Sequence, residues 1–463
     1  MEELIMKFAE EFKKSTRAHI LMITNHGMHH WNIIPGLPDT GGQNVFVNEF
    51  SDALANQGYR ITIINRGGYA NPVSGEMRKG ILYKDENQRI MYLEDGRGEF
   101  ISKEDMDAQM PALLENLKQQ LKEEGSKVDV IISHYWDGAK LGILYNQTLS
   151  KKKTHIWVPH SLGDVKKRNI NSTEWDKLRI DNRIDNEISI IQEVDQIAST
   201  SSIIEQSLKN DYGFTGKMLF LPPCVNSERY CPHKIADDHP VWEFLEHHGQ
   251  MKAEEIRTSR IITEISRTDS TKRKDVLIKA FTQVQQEFKN TVLVLTIDRQ
   301  NSQLYEKLQH LIHASGIQDH VIVLGSVWDE LPDIYAITDI YCTPSVMEGF
   351  GMTSQEAAAT RVPVISSDLV PFVTEYLLGD NVKALIVNGD ETQVKKGTGA
   401  LVVPADDIDG FAMALKWLLS NEEIRKEMGE AAYKITIPYF TWKNIVNAFL
   451  TESGVNAYPE RND

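Results

Sequence analysis

Apolar runs alternate with amphipathic segments along the chain, and this pattern predicts strands and helices in turn. Most of the runs are continuously apolar, which is typical of parallel strands buried on both faces. The predicted strands are His19–Thr24, Arg60–Asn65, Val128–Ser133, His155–Pro159, Gln196–Thr200, Lys217–Leu221, Arg260–Ser266, Thr291–Ile297, His320–Leu324, Asp339–Thr343, Val362–Ser366 and Ala400–Val403. Helical spacing lies between them, as at Val47, Phe50 and Leu54 before Gly58. Alternation through both halves predicts an α/β protein with two doubly wound parallel-sheet domains.

The length of 463 residues also favours two domains, because one hydrophobic core rarely organises a chain of this size. The boundary is expected in the proline-containing stretch between Pro223 and Arg260, which gives domains at residues 1–235 and 236–437. Open α/β sheets bind ligands at the carboxyl ends of their strands, so the two domains are expected to face each other across a cleft. The Gly-rich, charged stretch Leu378–Gly399 is expected to be an inserted surface loop, whose role stays open.

Charge and composition exclude some classes of function. The formal net charge of −16 argues against nucleic acid or an anionic membrane as partner, because both select a basic surface. The longest apolar runs, such as Val292–Ile297, are far shorter than the about 20 residues of a membrane-spanning helix. Three cysteines without metal-ligand spacing indicate a reducing compartment, and the N-terminus lacks the features of a signal peptide. A cytoplasmic location is therefore expected.

The segment Glu348–Glu356 is the clearest candidate for a ligand site. It follows a predicted strand and opens a helix, where Thr353 or Ser354 is expected to cap the first turn. Free N–H groups at such a helix start suit a diphosphate, and the glycines of the segment allow its backbone to approach a ligand closely. Glu356, expected on the first turn, is placed to accept ribose hydroxyls, with Glu348 near a sugar. A Gly-rich turn with two surface carboxylates is the alternative interpretation.

This segment resembles the Glu-x7-Glu motif of the retaining family-4 glycosyltransferases, which have the GT-B fold. Within that family it is similar to the sucrose-phosphate and mannosylfructose-phosphate synthases, and the resemblance extends from about His26 to Leu450. It implies two Rossmann-like domains and a C-terminal helix, within residues 438–463, that packs back on the first domain. It also implies that a hexose is transferred from a nucleotide diphosphate, UDP-glucose or GDP-mannose, to a small phosphorylated acceptor.

The resemblance assigns catalytic and donor-binding roles to particular residues. The catalytic residues are His160, Arg267, Lys272 and Glu348. The donor-binding residues are Gly42, Val327, Gly349, Phe350, Gly351, Met352, Thr353 and Glu356. Negative charge builds on the departing diphosphate, so the cations Arg267 and Lys272 are expected to replace a metal ion, and no obligatory metal is implied. Lys274 and Lys279 are expected on a solvated helix face.

The acceptor side is expected in loops that follow strands of the first half. In the Pro38–Gln43 loop, two glycines let the backbone meet an anion or a sugar ring at a helix start. By the resemblance, His160 reaches the transferred hexose, while His134 is expected to order its loop. The implied acceptor-binding residues are Gly41, Gln43, Arg97, Lys103, Tyr135, Ser161, Lys166, Arg179 and Arg183. Guanidinium groups suit a phosphate dianion, although surface salt bridges are the alternative for each single arginine.

The sequence leaves the substrates and the assembly state open. Ser366–Pro371 stands where the family often has a Gly-Gly turn near the donor sugar, so the hexose is not assigned. A phosphoglycerate-type acid or an unphosphorylated sugar is the alternative acceptor, and a non-catalytic sugar-nucleotide-binding protein is the less favoured function. A nicotinamide dehydrogenase is disfavoured, because the first strand–helix turn lacks G-x-G-x-x-G. Small molecules are the expected partners, and a homo-oligomer is left open.

Overall fold

The computed structural model describes residues 2–33, 37, 39–170, 172–299, 302–325 and 327–455, which fold into two compact units. The first unit comprises the described residues of Met1–Pro222 and Trp442–Asp463, and the second comprises those of Pro223–Thr441. The first unit ends before residue 235 because the chain beyond Pro222 pairs within the second unit. There the backbone N–H of Val225 donates to the carbonyl oxygen of Phe440 at 2.9 Å.

The first unit is built on an eight-stranded sheet in its described residues, with strand order β3-β4-β2-β1-β5-β6-β7-β8. The strands are β1 (His19–Ile23), β2 (Arg60–Arg66), β3 (Ile81–Tyr83), β4 (Gln88–Leu93), β5 (Val130–His134), β6 (Thr154–Val158), β7 (Gln196–Ser199) and β8 (Met218–Phe220). All neighbours are parallel except β3 and β4. Its helices are α1 (Glu2–Lys14), α2 (Gly42–Asn56), α3 (Met110–Glu124), α4 (Tyr135–Gln147), α5 (Gly163–Asn169), α6 (Ile180–Glu193) and α7 (Ser202–Asn210).

The second unit is also built on an eight-stranded sheet in its described residues, in the order β11-β10-β9-β12-β13-β16-β15-β14. The helices are α8 (Pro240–His248), α9 (Ala253–Thr258), α10 (Lys274–Glu287), α11 (Ser302–Ala314), α12 (Leu331–Ala336), α13 (Met352–Ala359), α14 (Ile408–Ser420) and α15 (Glu422–Thr436). The strands are β9 (Arg260–Glu264), β10 (Thr291–Thr296), β11 (Val321–Leu324), β12 (Ile340–Thr343), β13 (Val364–Ser367), β14 (Lys383–Val387), β15 (Asp390–Lys396) and β16 (Ala400–Val403). Among the residues described in either unit, no helix is both long enough and apolar enough to cross a membrane.

All twelve predicted strands are present, and the α/β class with two mainly parallel sheets is confirmed. The strand ends differ from the prediction by at most two residues. Two strands of the first unit, β3 and β4, were not predicted. Strand β4 is fully buried but begins with two polar residues, Gln88 and Arg89, which hide it from a search for apolar runs. Arg89 is tolerated there because Glu124 accepts a hydrogen bond from its Nη2 at 2.7 Å.

The prediction of a surface loop at Leu378–Gly399 is wrong. This stretch contains the antiparallel hairpin β14–β15, and β15 extends the sheet beside β16. The two strands are joined by Asn388 and Gly389, whose φ angles of 52° and 92° suit the tight turn that an Asn-Gly pair favours. Leu385 and Val394 are each 1% exposed and anchor the hairpin in the core of the second unit.

The last described helix, α16 (Trp442–Ser453), packs on α2 of the first unit. The indole of Trp442 stacks on Phe50, with the ring centroids 5.5 Å apart and an interplanar angle of 23°. Its Nε1–H donates to Glu49 Oε2 at 2.9 Å. Phe449 packs edge-on against Phe50, with the ring centroids 5.3 Å apart. Residues 456–463 of the predicted C-terminal segment lie outside the described residues.

Lys274 does not lie on a solvated helix face as the sequence suggested. It is 2% exposed, and its ammonium pairs with Glu264 at the end of β9. Its Nζ also donates to Ser266 Oγ at 2.8 Å. Burial lowers the pKa of Lys274, and the Glu264 carboxylate acts in the opposite direction without cancelling this shift. The pair ties α10 to the loop that follows β9. Lys279, by contrast, has a side chain that is 46% exposed.

Replacing Lys274 with Met is expected to destabilise the protein by about 3–5 kcal/mol, because it leaves the buried Glu264 carboxylate without its partner. The shift in the midpoint of urea unfolding measures the loss. Lys279→Met, in the same helix, is the matched control and is expected to stay within about 0.5 kcal/mol. The double variant Lys274→Met/Glu264→Leu should recover most of the stability. A double variant as unstable as the single one would show that charge burial is not the cause.

Candidate active site

Two neighbouring strands of the first unit end in a fixed pair of polar side chains. Parallel strands β1 and β5 lie side by side. His26 lies in the loop that follows β1, and Asp137 lies in the first turn of α4, which begins directly after β5. Nδ1 of His26 lies 2.9 Å from Asp137 Oδ1, and its backbone N–H donates to Oδ2 at 3.0 Å. Asn25 Nδ2 adds a bond to the carbonyl oxygen of Asp137 at 3.0 Å. The sequence reasoning missed this pair, although both residues follow predicted strand ends.

His160, predicted to be catalytic, lies beside His134. Its backbone has a positive φ of 56°, an uncommon conformation for a non-glycine residue, which turns the chain directly after β6. Nε2 of His160 is 2.9 Å from Nδ1 of His134, and the two rings meet edge to edge with centroids 5.1 Å apart and an interplanar angle of 28°. Phe46 packs edge-on against His160 at 4.8 Å. Burial, and then the neighbouring His26, lowers the pKa of His160 to about 3, so the ring is neutral at pH 7.

The glycine loop before α2 has free space beside Gly41. The N–H of Gly41 donates to Asn44 Oδ1 at 2.9 Å, and a Cβ at Gly41 would meet no atom within 4 Å. Gly27 has φ of 75°, and a Cβ there would lie 2.3 Å from the carbonyl oxygen of Asp39, so this close approach requires glycine. Gln43 Nε2 donates to Thr24 Oγ1 at 3.1 Å. Gly42 is the first residue of α2, and Pro38 lies outside the described residues.

Five of the predicted acceptor-binding residues line one pocket of the first unit. They are Lys103, Tyr135, Lys166, Arg179 and Arg183. Arg183 is 5% exposed and its Nε donates to Glu187 Oε1 at 2.8 Å. Its Nη2 donates to the carbonyl oxygen of Ser161 at 2.7 Å and to Ser161 Oγ at 3.0 Å. The guanidinium also lies 4.3 Å from the ring centre of Tyr135. Arg183 therefore fixes two other predicted residues, Ser161 and Tyr135, rather than forming a surface salt bridge.

The cations of this pocket differ in how their charge is balanced. Lys103 pairs with Asp39 and lies 3.4 Å from Glu104 Oε1. Burial lowers its pKa, but Asp39, Tyr135 and Glu104 act together in the opposite direction and the net shift is upward. Arg179 Nη2 pairs with Asp105 Oδ1 at 2.7 Å.

Lys166 is the exception among them. No hydrogen bond or ion pair joins its Nζ to any residue that the structure describes. Burial, and then the positive charges of Lys103 and Arg183, lowers its pKa from 10.5 to about 8. A half-buried amine among cations, without a carboxylate of its own, is an arrangement that an anion would stabilise.

Arg97 is not brought to this pocket. It is exposed, and its backbone N–H donates to Asp95 Oδ1 at 3.1 Å. Asp95 in turn accepts two hydrogen bonds from Arg66, at 2.8 and 2.9 Å. Arg97 is therefore not among the residues that line the pocket of the other predicted phosphate contacts.

In the second unit, helix α13 begins at Met352 behind Gly351, which has φ of 112°. A Cβ at Gly351 would lie 2.6 Å from Val370 Cγ1, so glycine is required at this start. The expected cap by Thr353 or Ser354 is wrong, since neither side chain caps the described helix. Thr353 Oγ1 lies 2.7 Å from the hydroxyl of the buried Tyr341 instead.

Glu356 is the fifth residue of α13. It therefore lies just beyond the first turn, on which the sequence analysis expected it. The hydroxyl of Tyr335 donates to Glu356 Oε2 at 3.0 Å, and Tyr335 itself is fully buried. This contact orients the carboxylate. The other donor-side residues differ in accessibility. Phe350 packs on Phe372 in the core, which leaves only its backbone for a ligand, whereas Gly349 is exposed and Val327 and Met352 are half-buried.

The two predicted donor-side cations are held differently. Lys272 Nζ contacts Glu348 Oε1 at 2.6 Å and lies 3.4 Å from the carbonyl oxygen of Met347. The backbone N–H of Val346 donates to the carbonyl oxygen of Thr271 at 2.8 Å, which joins the two loops. Arg267 has a side chain that is 77% exposed, and its nearest carboxylate oxygen, on Asp269, is 3.9 Å away. Arg267 is therefore accessible, while Lys272 and Glu348 form a preformed pair.

Comparison with known proteins assigns both units to one class of enzyme. The profile of Glycosyltransferase Family 4 matches residues 40–229, and that of Glycosyl transferases group 1 matches residues 249–435. The chain is therefore a glycosyltransferase of GT-B type, with a family-4 domain followed by a group-1 domain. Group-1 glycosyltransferases use nucleotide sugars as donors.

Two relatives and one solved structure show how similar the chain is to individual proteins. The chain is 28% identical to a mannosylfructose-phosphate synthase of Agrobacterium fabrum over 360 residues, which cover 75% of each chain. It is 26% identical to a D-inositol 3-phosphate glycosyltransferase of Kribbella flavida, over 86% of this chain and 87% of the relative. Its fold superposes on sucrose-phosphate synthase of Thermosynechococcus elongatus with a TM-score of 0.76 at 21% identity, covering 96% of this chain and 100% of the other.

The amine of Lys166 is expected to titrate near pH 8, whereas ordinary lysines titrate near 10.5. Its positive charge is fully present below about pH 7 and is lost as the pH rises through 8, because the neutral form is favoured by burial and by neighbouring cations. Reductive methylation with a ¹³C label followed by NMR titration measures this value. The signal is identified by its absence from Lys166→Arg. Inorganic phosphate should raise the pKa; a titration at an ordinary lysine value would contradict the electrostatic description of the pocket.

Proposed function

We propose that this glycosyltransferase moves a hexose, with retention of anomeric configuration, from UDP-glucose or GDP-mannose to a small phosphorylated acceptor. The observation that supports the acceptor class is the ammonium of Lys166, which has no ion-pair partner among the described residues, in the pocket that it shares with Lys103 and Arg183. A phosphate dianion would balance this charge and accept hydrogen bonds from Lys166. All three similar proteins described above are also named after a phosphorylated compound.

The donor is proposed to bind to the second unit. The N–H groups at the start of α13 suit the diphosphate, and Arg267 is accessible to neutralise it. Glu356, oriented by Tyr335, would accept hydrogen bonds from the ribose hydroxyls. The exposed fraction of Glu348 is small and its carboxylate is held by Lys272, so it would offer the sugar a fixed acceptor.

The proposed chemistry is a front-side displacement. The acceptor hydroxyl oxygen forms a bond to the anomeric carbon while the bond from that carbon to the leaving diphosphate breaks. The proton of the hydroxyl moves to an oxygen of the departing phosphate. Arg267 and Lys272 stabilise the charge that develops there, and the neutral His160 hydrogen-bonds the hexose. No metal is required in this scheme.

A screen of donors and acceptors tests the proposed reaction. UDP-glucose, GDP-mannose and ADP-glucose are each offered with fructose 6-phosphate, inositol 3-phosphate, a phosphoglycerate and free fructose. We expect transfer from UDP-glucose or GDP-mannose to a phosphorylated sugar or cyclitol, and an NMR spectrum of the product in which the anomeric configuration is retained. Failure to bind or turn over any nucleotide sugar would contradict the proposed transferase activity. Preference for the phosphoglycerate would show that the acceptor is a phosphorylated acid and not a phosphorylated sugar or cyclitol.

Lys166→Met is expected to lower kcat/KM for a phosphorylated acceptor about 10- to 100-fold, because it removes a charge-assisted contact with the phosphate. Nucleotide affinity should not change, since Lys166 lies in the first unit, outside the proposed diphosphate contacts. Steady-state kinetics with varied acceptor, together with calorimetry of nucleoside diphosphate binding, measures both effects. Lys167→Met is the matched control, because Lys167 already pairs with Asp181. An equal loss in both variants would contradict the role of Lys166.

Lys272→Met is expected to lower kcat about 10²- to 10³-fold, because stabilisation of charge on the leaving diphosphate is lost in the transition state. The acceptor KM should change little. Lys279→Met serves again as the control on the exposed face of α10. EDTA is expected to leave wild-type turnover unchanged. Loss of activity in EDTA that is restored by a divalent cation would contradict the metal-independent scheme.

A further inference from the structure

The contact between His134 and His160 leaves one ring nitrogen of each residue without a hydrogen-bond partner in the part of the chain that the structure describes. His134 is fully buried at the end of β5, and its Nδ1 lies 2.9 Å from Nε2 of His160. Nε2 of His134 has no hydrogen-bond partner among the residues that the structure describes. Within the same described residues, no hydrogen bond reaches Nδ1 of His160. The unbonded nitrogen of His160 is therefore the one that remains for a ligand.

Only two proton arrangements fit this contact. Burial lowers the pKa of His134 well below its ordinary value and that of His160 to about 3, so both rings are neutral at pH 7. A neutral imidazole has one N–H and one acceptor nitrogen, so one ring donates to the other. Either His160 donates from Nε2 to His134, or His134 donates from Nδ1 to His160.

The buried nitrogen of His134 distinguishes these arrangements. If His160 donated, the proton of His134 would lie on Nε2, where a buried N–H would have no acceptor among the described residues. If His134 donates, Nε2 carries only an unused lone pair. A buried N–H without a partner is rarer in proteins than an under-used acceptor, since the donor loses its hydrogen bonds to water without replacement. The second arrangement is favoured.

The geometry points to His134 as a positioning residue that donates Nδ1–H to His160 and so fixes the proton of His160 on Nδ1. His160 then presents a hydrogen-bond donor, not an acceptor, to its ligand. A ligand oxygen such as a sugar hydroxyl fits this donor. Assigning that oxygen to the transferred hexose rests on the proposed function, whereas the tautomer itself does not.

NMR of the full-length protein with ¹⁵N-labelled histidine tests the tautomer directly. Long-range ¹H–¹⁵N correlations separate a protonated ring nitrogen from an unprotonated one, and His160→Gln identifies the signals of His160. We expect Nδ1 of His160 to be protonated and Nε2 to be unprotonated at pH 7. A proton on Nε2, or an average over both nitrogens, would overturn the inference, and this result needs no variant of His134.

Substitution of His134 tests its part in fixing the proton. His134→Phe keeps an aromatic ring without a donor, and the signals of His160 should move toward a mixture of tautomers. His134→Gln, whose amide supplies an N–H, should restore the Nδ1 tautomer. His155→Gln changes another buried histidine, bonded to Ser133 Oγ at 2.7 Å, and should leave His160 as in the wild type. An unchanged tautomer in His134→Phe would overturn the positioning role.

Turnover separates this inference from the proposed function. We expect His134→Phe to lower kcat about tenfold with little change in KM, and His134→Gln to recover most of it. If the tautomer shifts in His134→Phe while kcat stays at the wild-type value, the positioning role stands and the catalytic role proposed for His160 fails. If kcat falls although the tautomer does not shift, the positioning inference fails.

Discussion

The chemistry of the first unit depends on how the charges around Lys166 are balanced. Four cations line one pocket, and three of them have their own counter-charges: Lys103 has Asp39, Arg179 has Asp105, and Arg183 has Glu187. Lys166 has no such partner among the described residues, and its lowered pKa records the cost of holding its charge there. A bound dianion removes that cost, so the pocket gains most from a ligand that carries a phosphate.

In the second unit, too, paired charges fix the geometry while another charged group stays accessible. A buried ion pair, Lys274 with Glu264, ties α10 to the loop after β9, and the neighbouring Lys272 reaches Glu348 across the adjoining loop. Arg267, in the loop that follows β9, is accessible. Groups with fixed partners thus set the geometry, and a group without one is available to a ligand. Preorganisation of this kind lets charges act on a leaving group without reorganising during the reaction.

The sheets were predictable because buried parallel strands are continuous apolar runs. The prediction failed where this rule does not apply, as in β4, whose buried Arg89 is paired with Glu124, and in β14–β15, an edge hairpin with polar outer positions. The Asn388-Gly389 pair was the available signal for that hairpin. The motifs also located the loops of the candidate site. They did not reveal which cations are neutralised, because Lys103 and Asp39, like His26 and Asp137, become partners only through the packing of the chain.

A competition between acceptors tests the charge argument most directly. The protein is offered one nucleotide sugar with equal concentrations of fructose 6-phosphate and fructose, and in a second mixture of inositol 3-phosphate and inositol. The product ratio, measured by mass spectrometry, equals the ratio of kcat/KM values. The account predicts that the phosphorylated product dominates about 10- to 100-fold in at least one pair, since its phosphate makes charge-assisted contacts that the free acceptor lacks. Transfer with equal efficiency to the phosphorylated and free acceptors in both mixtures would contradict it.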